Sequence, residues 1–95
     1  MSKGGIEQMS RSLALECAKY PIRINAIAPG YIKTPINQEY LEQVIGQYVE
    51  ERTPMHRIGR LEDLNGVLLL LASQASAYIT GSIIPVDGGI SVRQL

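Results

Sequence analysis

The chain has 95 residues, 45% of them hydrophobic and 19% charged, and its nine basic and nine acidic side chains cancel to a formal net charge of zero. This is the composition of an ordinary globular chain of at most one domain, and without a cluster of Lys or Arg it gives no electrostatic case for nucleic acid or an anionic membrane as partner. The longest apolar run, Val67 to Ala72, is too short to cross a bilayer and the N-terminus has no secretory pattern, so the expected location is cytoplasmic.

Residues 2–18 predict one amphipathic helix, because Ile6, Met9, Leu13 and Cys17 recur at spacings of three and four and form a single apolar stripe. No capping residue precedes it, so the helix is expected to have a lead-in upstream of Met1. Cys17, the only cysteine, has no partner for an internal disulfide and reads as a small core residue. Tyr20 and Pro21 stop the helix, and Ile22 to Ala28 ("IRINAIA") predicts a buried parallel strand that ends at Pro29-Gly30. The polar stretch "YIKTPINQ" leads into a second helix over about 39–52, with Tyr40, Leu41, Val44, Ile45, Tyr48 and Val49 opposite a face of Glu and Gln. After "TPMHRIGR", Glu62 and Asp63 suit the positive end of a third helix that runs to about Ser73. Its "VLLLL" is apolar all round, which predicts cover on more than one side. A turn at Thr80-Gly81, a strand over Ser82 to Val86 and a Gly88-Gly89 bend close the chain.

The order helix, strand, helix, helix, strand is the rear portion of an alternating α/β sheet. Two parallel strands joined by a helical crossover leave open edges and little core, so the chain is expected to be incomplete as a domain and not independently stable.

The pieces "SKGG", "IRINAIAPGYIKTP", "RIGRLEDL", "LASQASAYITG" and "VDGG" stand in the order and at the spacing of the C-terminal part of the classical short-chain dehydrogenase/reductase family, which the sequence resembles from Ser2 to Gly89. The resemblance implies the C-terminal portion of a Rossmann-type doubly wound parallel sheet. "IAPGYIKT" and "RTPMHRIGR" are most similar to the branch that oxidises sugar acids and polyols, such as gluconate and deoxygluconate dehydrogenases. In the family the catalytic helix opens on Tyr-x-x-x-Lys; Ser2-Lys3 match the last two positions, and the tyrosine would fall two places ahead of Met1. The resemblance also implies a glycine-rich loop, a catalytic serine and an upstream asparagine that these residues do not include. The chain is therefore expected to be a fragment, inactive by itself.

Hydride transfer between an alcohol or a carbonyl and a nicotinamide requires a proton donor or acceptor at the oxygen, and a phenol with a pKa of about 10 is a poor base at neutral pH. An ammonium one turn along the same helix favours the phenolate. By resemblance Lys3 fills this catalytic role and also hydrogen-bonds the ribose of the cofactor, NAD or NADP. Pro29-Gly30 ends a strand at the edge where open α/β sheets place ligands, and Gly30 has no Cβ to keep a flat ring from the backbone. The resemblance adds backbone groups of Ile32 on the nicotinamide carboxamide and the Thr34 hydroxyl near the carboxamide or the pyrophosphate. The cofactor-binding set is thus Lys3, Pro29, Gly30, Ile32 and Thr34, with no metal.

The helix after Thr34 matches the family's variable substrate cover. Tyr40, Tyr48 and Met55 could line a substrate pocket but read as packing, and His56, with no metal-ligand spacing around it, reads as a loop residue. Arg57 and Arg60 read as structural or exposed charges rather than as ligands of a substrate carboxylate, and Asp87-Gly88-Gly89 as a turn that positions the last residues. Two functions follow. One is a remnant of an NAD(P)-dependent oxidoreductase that interconverts an alcohol and a ketone on a small polar substrate. The other is a non-catalytic module that associates with a related subunit. The resemblance implies a homo-oligomer, tetramer or dimer, in which the third helix and the end of the sheet meet a neighbour.

Overall fold

The computed structural model describes residues 3–93, and the side chains of residues 4–92. The chain divides into two compact units, one comprising Met1–Ile27 and Val67–Ile84, the other Ala28–Gly66 and Pro85–Leu95. No helix among the described residues is long and apolar enough to cross a membrane.

In the first unit α1 spans Lys3–Cys17, close to the expected bounds. Its covered face differs from the expected one. Ser10 and Ala14 are buried, whereas Ile6, Met9 and Leu13 of the apolar stripe remain 43%, 48% and 41% exposed. The reason is a close approach: a Cβ at Gly81 would stand 3.5 Å from that of Ala14, so a small side chain, not a large one, fits the contact. Strand β1 covers only Ala26–Pro29, four residues later than the start expected. Over the missing half, one backbone bond, from Gly81 N–H to the Ile24 carbonyl (2.7 Å), is joined by side-chain bonds. Ile24 N–H donates to Thr80 Oγ1 (3.0 Å), while the Asn25 amide donates to the Ile79 carbonyl and accepts from Ser82 N–H (3.0 Å each). The Arg23 guanidinium donates to the carbonyl (2.8 Å) and the hydroxyl of Ser76, whose residue is fully buried.

Strand β1 pairs with the last strand, Ile83–Val86. Each strand passes from one unit into the other. Ala26 N–H donates to the Ser82 carbonyl in the first unit and Gly30 N–H to the Val86 carbonyl in the second (2.9 and 3.0 Å). The two bonds advance together along both strands, so the pairing is parallel.

The second unit holds a pair the sequence did not announce. Strand β2 (Ile32–Lys33) lies parallel to β3 (Gly59–Arg60), with Ile32 opposite Gly59 and Lys33 opposite Arg60; the last strand is therefore β4. Two residues are too few to show a period of two. The expected second helix is interrupted: α2 (Gln38–Tyr40) runs into a π turn (Leu41–Ile45) and then α3 (Gly46–Arg52). Gly46 makes the wide turn possible, since a Cβ there would meet the Leu41 carbonyl oxygen at 2.6 Å. The third helix opens with a tight 3₁₀ turn, Leu61–Leu64, before α4 (Asn65–Ala72). No residue of α4 is buried and Leu69 is 72% exposed, so the cover expected for this helix does not come from the chain itself. After β4 a short helix, α5 (Ile90–Arg93), follows the glycine pair.

Gly46→Ala is expected to break the wide turn and lower amide-exchange protection over residues 45–49 by about tenfold or more, and equal protection in both proteins would show that the turn does not depend on the glycine. Among the described residues the buried apolar side chains are Ala14, Leu41 and Val49. The isolated chain should therefore lose structure over a broad urea range with a shallow slope; a sharp cooperative transition of the monomer would contradict this.

Candidate functional site

Where β1 turns at Pro29-Gly30 and the chain enters β2, the second unit contains a cleft of about 340 Å³. Four of the five expected cofactor-binding residues line it: Pro29, Gly30, Ile32 and Thr34. The fifth, Lys3, opens α1, and its side chain lies outside the described residues. Tyr31, Asn37, Leu41, Leu61 and Leu64 complete the wall. Gly30 serves a purpose that the sequence reading did not assign to it. A Cβ there would lie 2.8 Å from Cβ and 2.9 Å from Cα of Asp87, so the space left by its missing side chain is filled by the end of β4 and not kept for a ligand. The backbone of Gly30 still borders the cleft.

The polar stretch after β2 is more ordered than its composition suggests. Pro35 restricts Thr34 to extended geometry, and Asn37 then closes the turn behind it. Its Oδ1 accepts from Thr34 N–H (2.7 Å), its Nδ2 donates to the Ile32 carbonyl (3.2 Å), and its own N–H donates to Thr34 Oγ1 (3.3 Å). A hydroxyl has one donor and two acceptor sites, so the bond it accepts leaves the Thr34 O–H able to donate elsewhere. Asn37, Leu41, Leu61 and Leu64 were not singled out from sequence. The signal for Asn37 was present, as an Asn three residues after Thr and just before a helix.

The charges around the cleft are paired with one another. Arg57 grips Asp63 through two bonds, Nη1 to Oδ2 (2.8 Å) and Nη2 to Oδ1 (3.0 Å), and Oδ2 also accepts from Arg60 N–H (2.7 Å). Arg57 is thus a structural charge, as its place in "RIGRLED" led us to expect. These partners hold the Asp63 carboxyl far below its ordinary value, first through the Arg57 hydrogen bonds and next through the Arg60 amide. Lys33 Nζ meets Glu42 Oε1 at 2.7 Å and lowers the Glu42 carboxyl through that hydrogen bond and its charge. His56 sits in a loop with φ of 56°, its Nδ1 3.2 Å from the Glu50 carbonyl. Tyr48 lies under the Arg52 guanidinium, 4.5 Å from ring centre, and Tyr40 is 55% exposed. Met55 borders a second cavity of about 330 Å³, with Tyr31, Thr53, Arg57 and Asp87 on its other walls.

Because its pKa is depressed on folding, the Asp63 clamp contributes fully above the ordinary value near 3.8 and its contribution fades as pH falls toward the lowered one. The Arg60 amide proton resonance should therefore titrate with a midpoint below that ordinary value, and Asp63→Asn should abolish the titration. A midpoint at the ordinary value would show that the clamp does not form.

A family model described as enoyl-(acyl carrier protein) reductase matches residues 1–91. A chloroplastic tropinone reductase homologue of Arabidopsis thaliana is 46% identical over 98 residues, covering 97% of this chain and 29% of its own length. The L-rhamnose 1-dehydrogenase (NAD(P)(+)) of a Sphingomonas strain is 42% identical over 93 residues, covering 97% and 37%. Among solved structures, a protein from Agrobacterium tumefaciens provisionally named 2-deoxy-D-gluconate 3-dehydrogenase, with bound NADP, superposes with a TM-score of 0.86 at 38% identity, over 96% of this chain and 37% of its own. A second, from Haemophilus influenzae and provisionally named D-mannonate oxidoreductase, with bound NAD, gives 0.84 at 37%, over 95% and 35%. The chain spans about a third of the length of these relatives. With the family model matched over residues 1–91 and the fold shared with these structures, the chain belongs to the short-chain dehydrogenase/reductase family, as part of a Rossmann-type α/β sheet.

Proposed function

We propose that this segment is the nicotinamide-side wall and the substrate cover of an NAD(P)-dependent oxidoreductase that interconverts an alcohol and a ketone on a sugar-acid or polyol-like substrate. The observation that carries the reading is the cleft at the C-terminal end of β1, where Pro29, Gly30, Ile32 and Thr34 come together at the edge on which open α/β sheets bind ligands. The lining fits a nicotinamide. Pro29, Ile32, Leu41, Leu61 and Leu64 offer apolar surface to a flat ring, Thr34 offers an O–H, and none of the lining side chains is Asp, Glu, Lys or Arg. A neutral wall suits the carboxamide end of the cofactor better than its pyrophosphate, which narrows the two contacts open to Thr34. The names of the Agrobacterium and Haemophilus relatives support the sugar-acid class of substrate.

When bound, a nicotinamide cofactor would supply the hydride chemistry. Thr34 would hydrogen-bond the carboxamide through its hydroxyl, backbone groups of Ile32 would help hold it, and Leu41, Leu61 and Leu64 would keep water from the ring. Lys3 acts through its ammonium on a tyrosine four residues ahead of it on the same helix, favouring the phenolate that takes the proton from the substrate hydroxyl, and it also holds the ribose hydroxyls. The helix through α2 and α3 covers the substrate. In the whole protein the exposed Leu68, Leu69 and Leu70 of α4 meet a neighbouring subunit of a homo-oligomer. Those same leucines favour the second reading, a non-catalytic association module.

The two readings part on the reading frame ahead of Met1. The enzyme reading expects a tyrosine codon two places upstream, preceded by a serine-bearing strand and a glycine-rich loop. Stop codons or unrelated sequence there would favour the association module. The purified 95-residue chain should give no NAD(P)H from gluconate or related polyols, and measurable turnover would overturn the role given to the tyrosine.

A further inference from the structure

We infer that Asn37 is a positioning residue for the cofactor: it holds the turn that sets the Thr34 hydroxyl as a donor aimed into the cleft. The inference rests on the reading of this cleft as the nicotinamide site and goes beyond it, to a residue that acts through another.

The geometry admits one orientation of the Asn37 amide. Thr34 presents a donor, its N–H, and Ile32 presents an acceptor, its carbonyl, and each faces the complementary atom of the same side chain (2.7 and 3.2 Å). A flipped amide would set N–H against N–H and oxygen against oxygen, so the two neighbours fix it. The third bond decides the function. By donating its backbone N–H to Thr34 Oγ1, Asn37 occupies a lone pair of that hydroxyl and directs the remaining hydrogen away from itself. Asn37 and Thr34 both line the cleft, so the direction left to the hydrogen is toward a ligand acceptor. Asn37 stands at the entrance of α2 in the place of a helix cap, yet its side chain makes no capping bond. It gives up the bond that residues of its type normally make there in favour of the turn behind it.

The test is a double-mutant cycle on dinucleotide affinity, read by calorimetry without turnover, in the complete protein that carries this segment, with NAD⁺ and NADP⁺ as probes. Thr34→Val should weaken binding about tenfold, as loss of one neutral hydrogen bond does, and Asn37→Ala, which keeps the backbone N–H but removes the two side-chain bonds that hold it against Thr34, should do nearly the same. The double variant should be no weaker than either alone, because Asn37 works through Thr34. The KM for the alcohol should not change. If Thr34→Val leaves affinity intact, the nicotinamide reading of the cleft fails and the inference fails with it. If Thr34→Val weakens binding but Asn37→Ala does not, or if the two losses multiply, the cleft stands and the positioning role is overturned. In the 95-residue chain, Asn37→Ala should speed exchange of the Thr34 amide, and Asn37→Asp, which keeps the acceptor, should restore its protection. Equal exchange in all three proteins would show that the turn is not held by Asn37.

Discussion

The arrangement of the second unit depends on how closely two strand ends approach. β1 and β4 run parallel and stop together, and at their ends Gly30 N–H bonds the Val86 carbonyl while the face of Gly30 that lacks a side chain touches Asp87. A methyl group there would meet Cβ and Cα of Asp87, neither of them the far end of a flexible side chain, so the backbone itself would have to shift. From this contact the chain leaves in two directions. On one side Pro29-Gly30 leads into β2 and the cleft. On the other, Asp87 accepts from Gly89 N–H (2.9 Å) and Ser91 N–H (3.2 Å) and starts α5, while the Gly88 carbonyl accepts from Met55 N–H (3.1 Å) and ties down the loop after α3. One glycine therefore fixes the relative position of the cleft wall and the loop that follows α3.

The polar groups divide between structure and ligand by charge. Arg57, Asp63, Lys33 and Glu42 are committed to one another in exposed pairs, which hold short segments in register and contribute little energy each. The lining of the cleft is left with the hydroxyls of Thr34 and Tyr31, an amide already engaged and three leucines. Such a lining offers shape and hydrogen-bond direction rather than charge.

How much of this was legible in the sequence follows from the length and regularity of each piece. α1, the bend at Pro29-Gly30 and the turn at Asp87-Gly88-Gly89 were readable, because a long periodic run and punctuating Pro and Gly residues carry their own signals. Four cleft residues were identified because they lie in one contiguous motif. Leu61 and Leu64 were not, since they reach the cleft through the pairing of β2 with β3, and two-residue strands leave no pattern to read. The apolar stripe of α1 misled for a different reason. Hydrophobicity marks surface that gains from burial, whereas the contact within this chain was decided by the space beside Gly81, which the small side chain of Ala14 fits.

The helix from 38 to 52 shows the same limit in angular terms. At about 100° per residue, Leu41 and Val49, eight residues apart, would point roughly 80° away from each other on an unbroken α-helix. A π turn takes up one residue without advancing the rotation, which brings the pair to within roughly 20°. Both are in fact buried, at 4% and 0% exposure, while Tyr40, Val44 and Tyr48, which an unbroken helix would place on the same broad stripe, face outward. The helix is tied at both ends, by Asn37 and Lys33 at its start and by the Thr53 hydroxyl on the Val49 carbonyl (2.7 Å) and Met55 at its finish. With fixed ends and one residue too many, the surplus has to be absorbed in between. Gly46 is the residue that lets the backbone do so, which places the origin of Leu41's share of the cleft wall at a glycine that does not line the cleft.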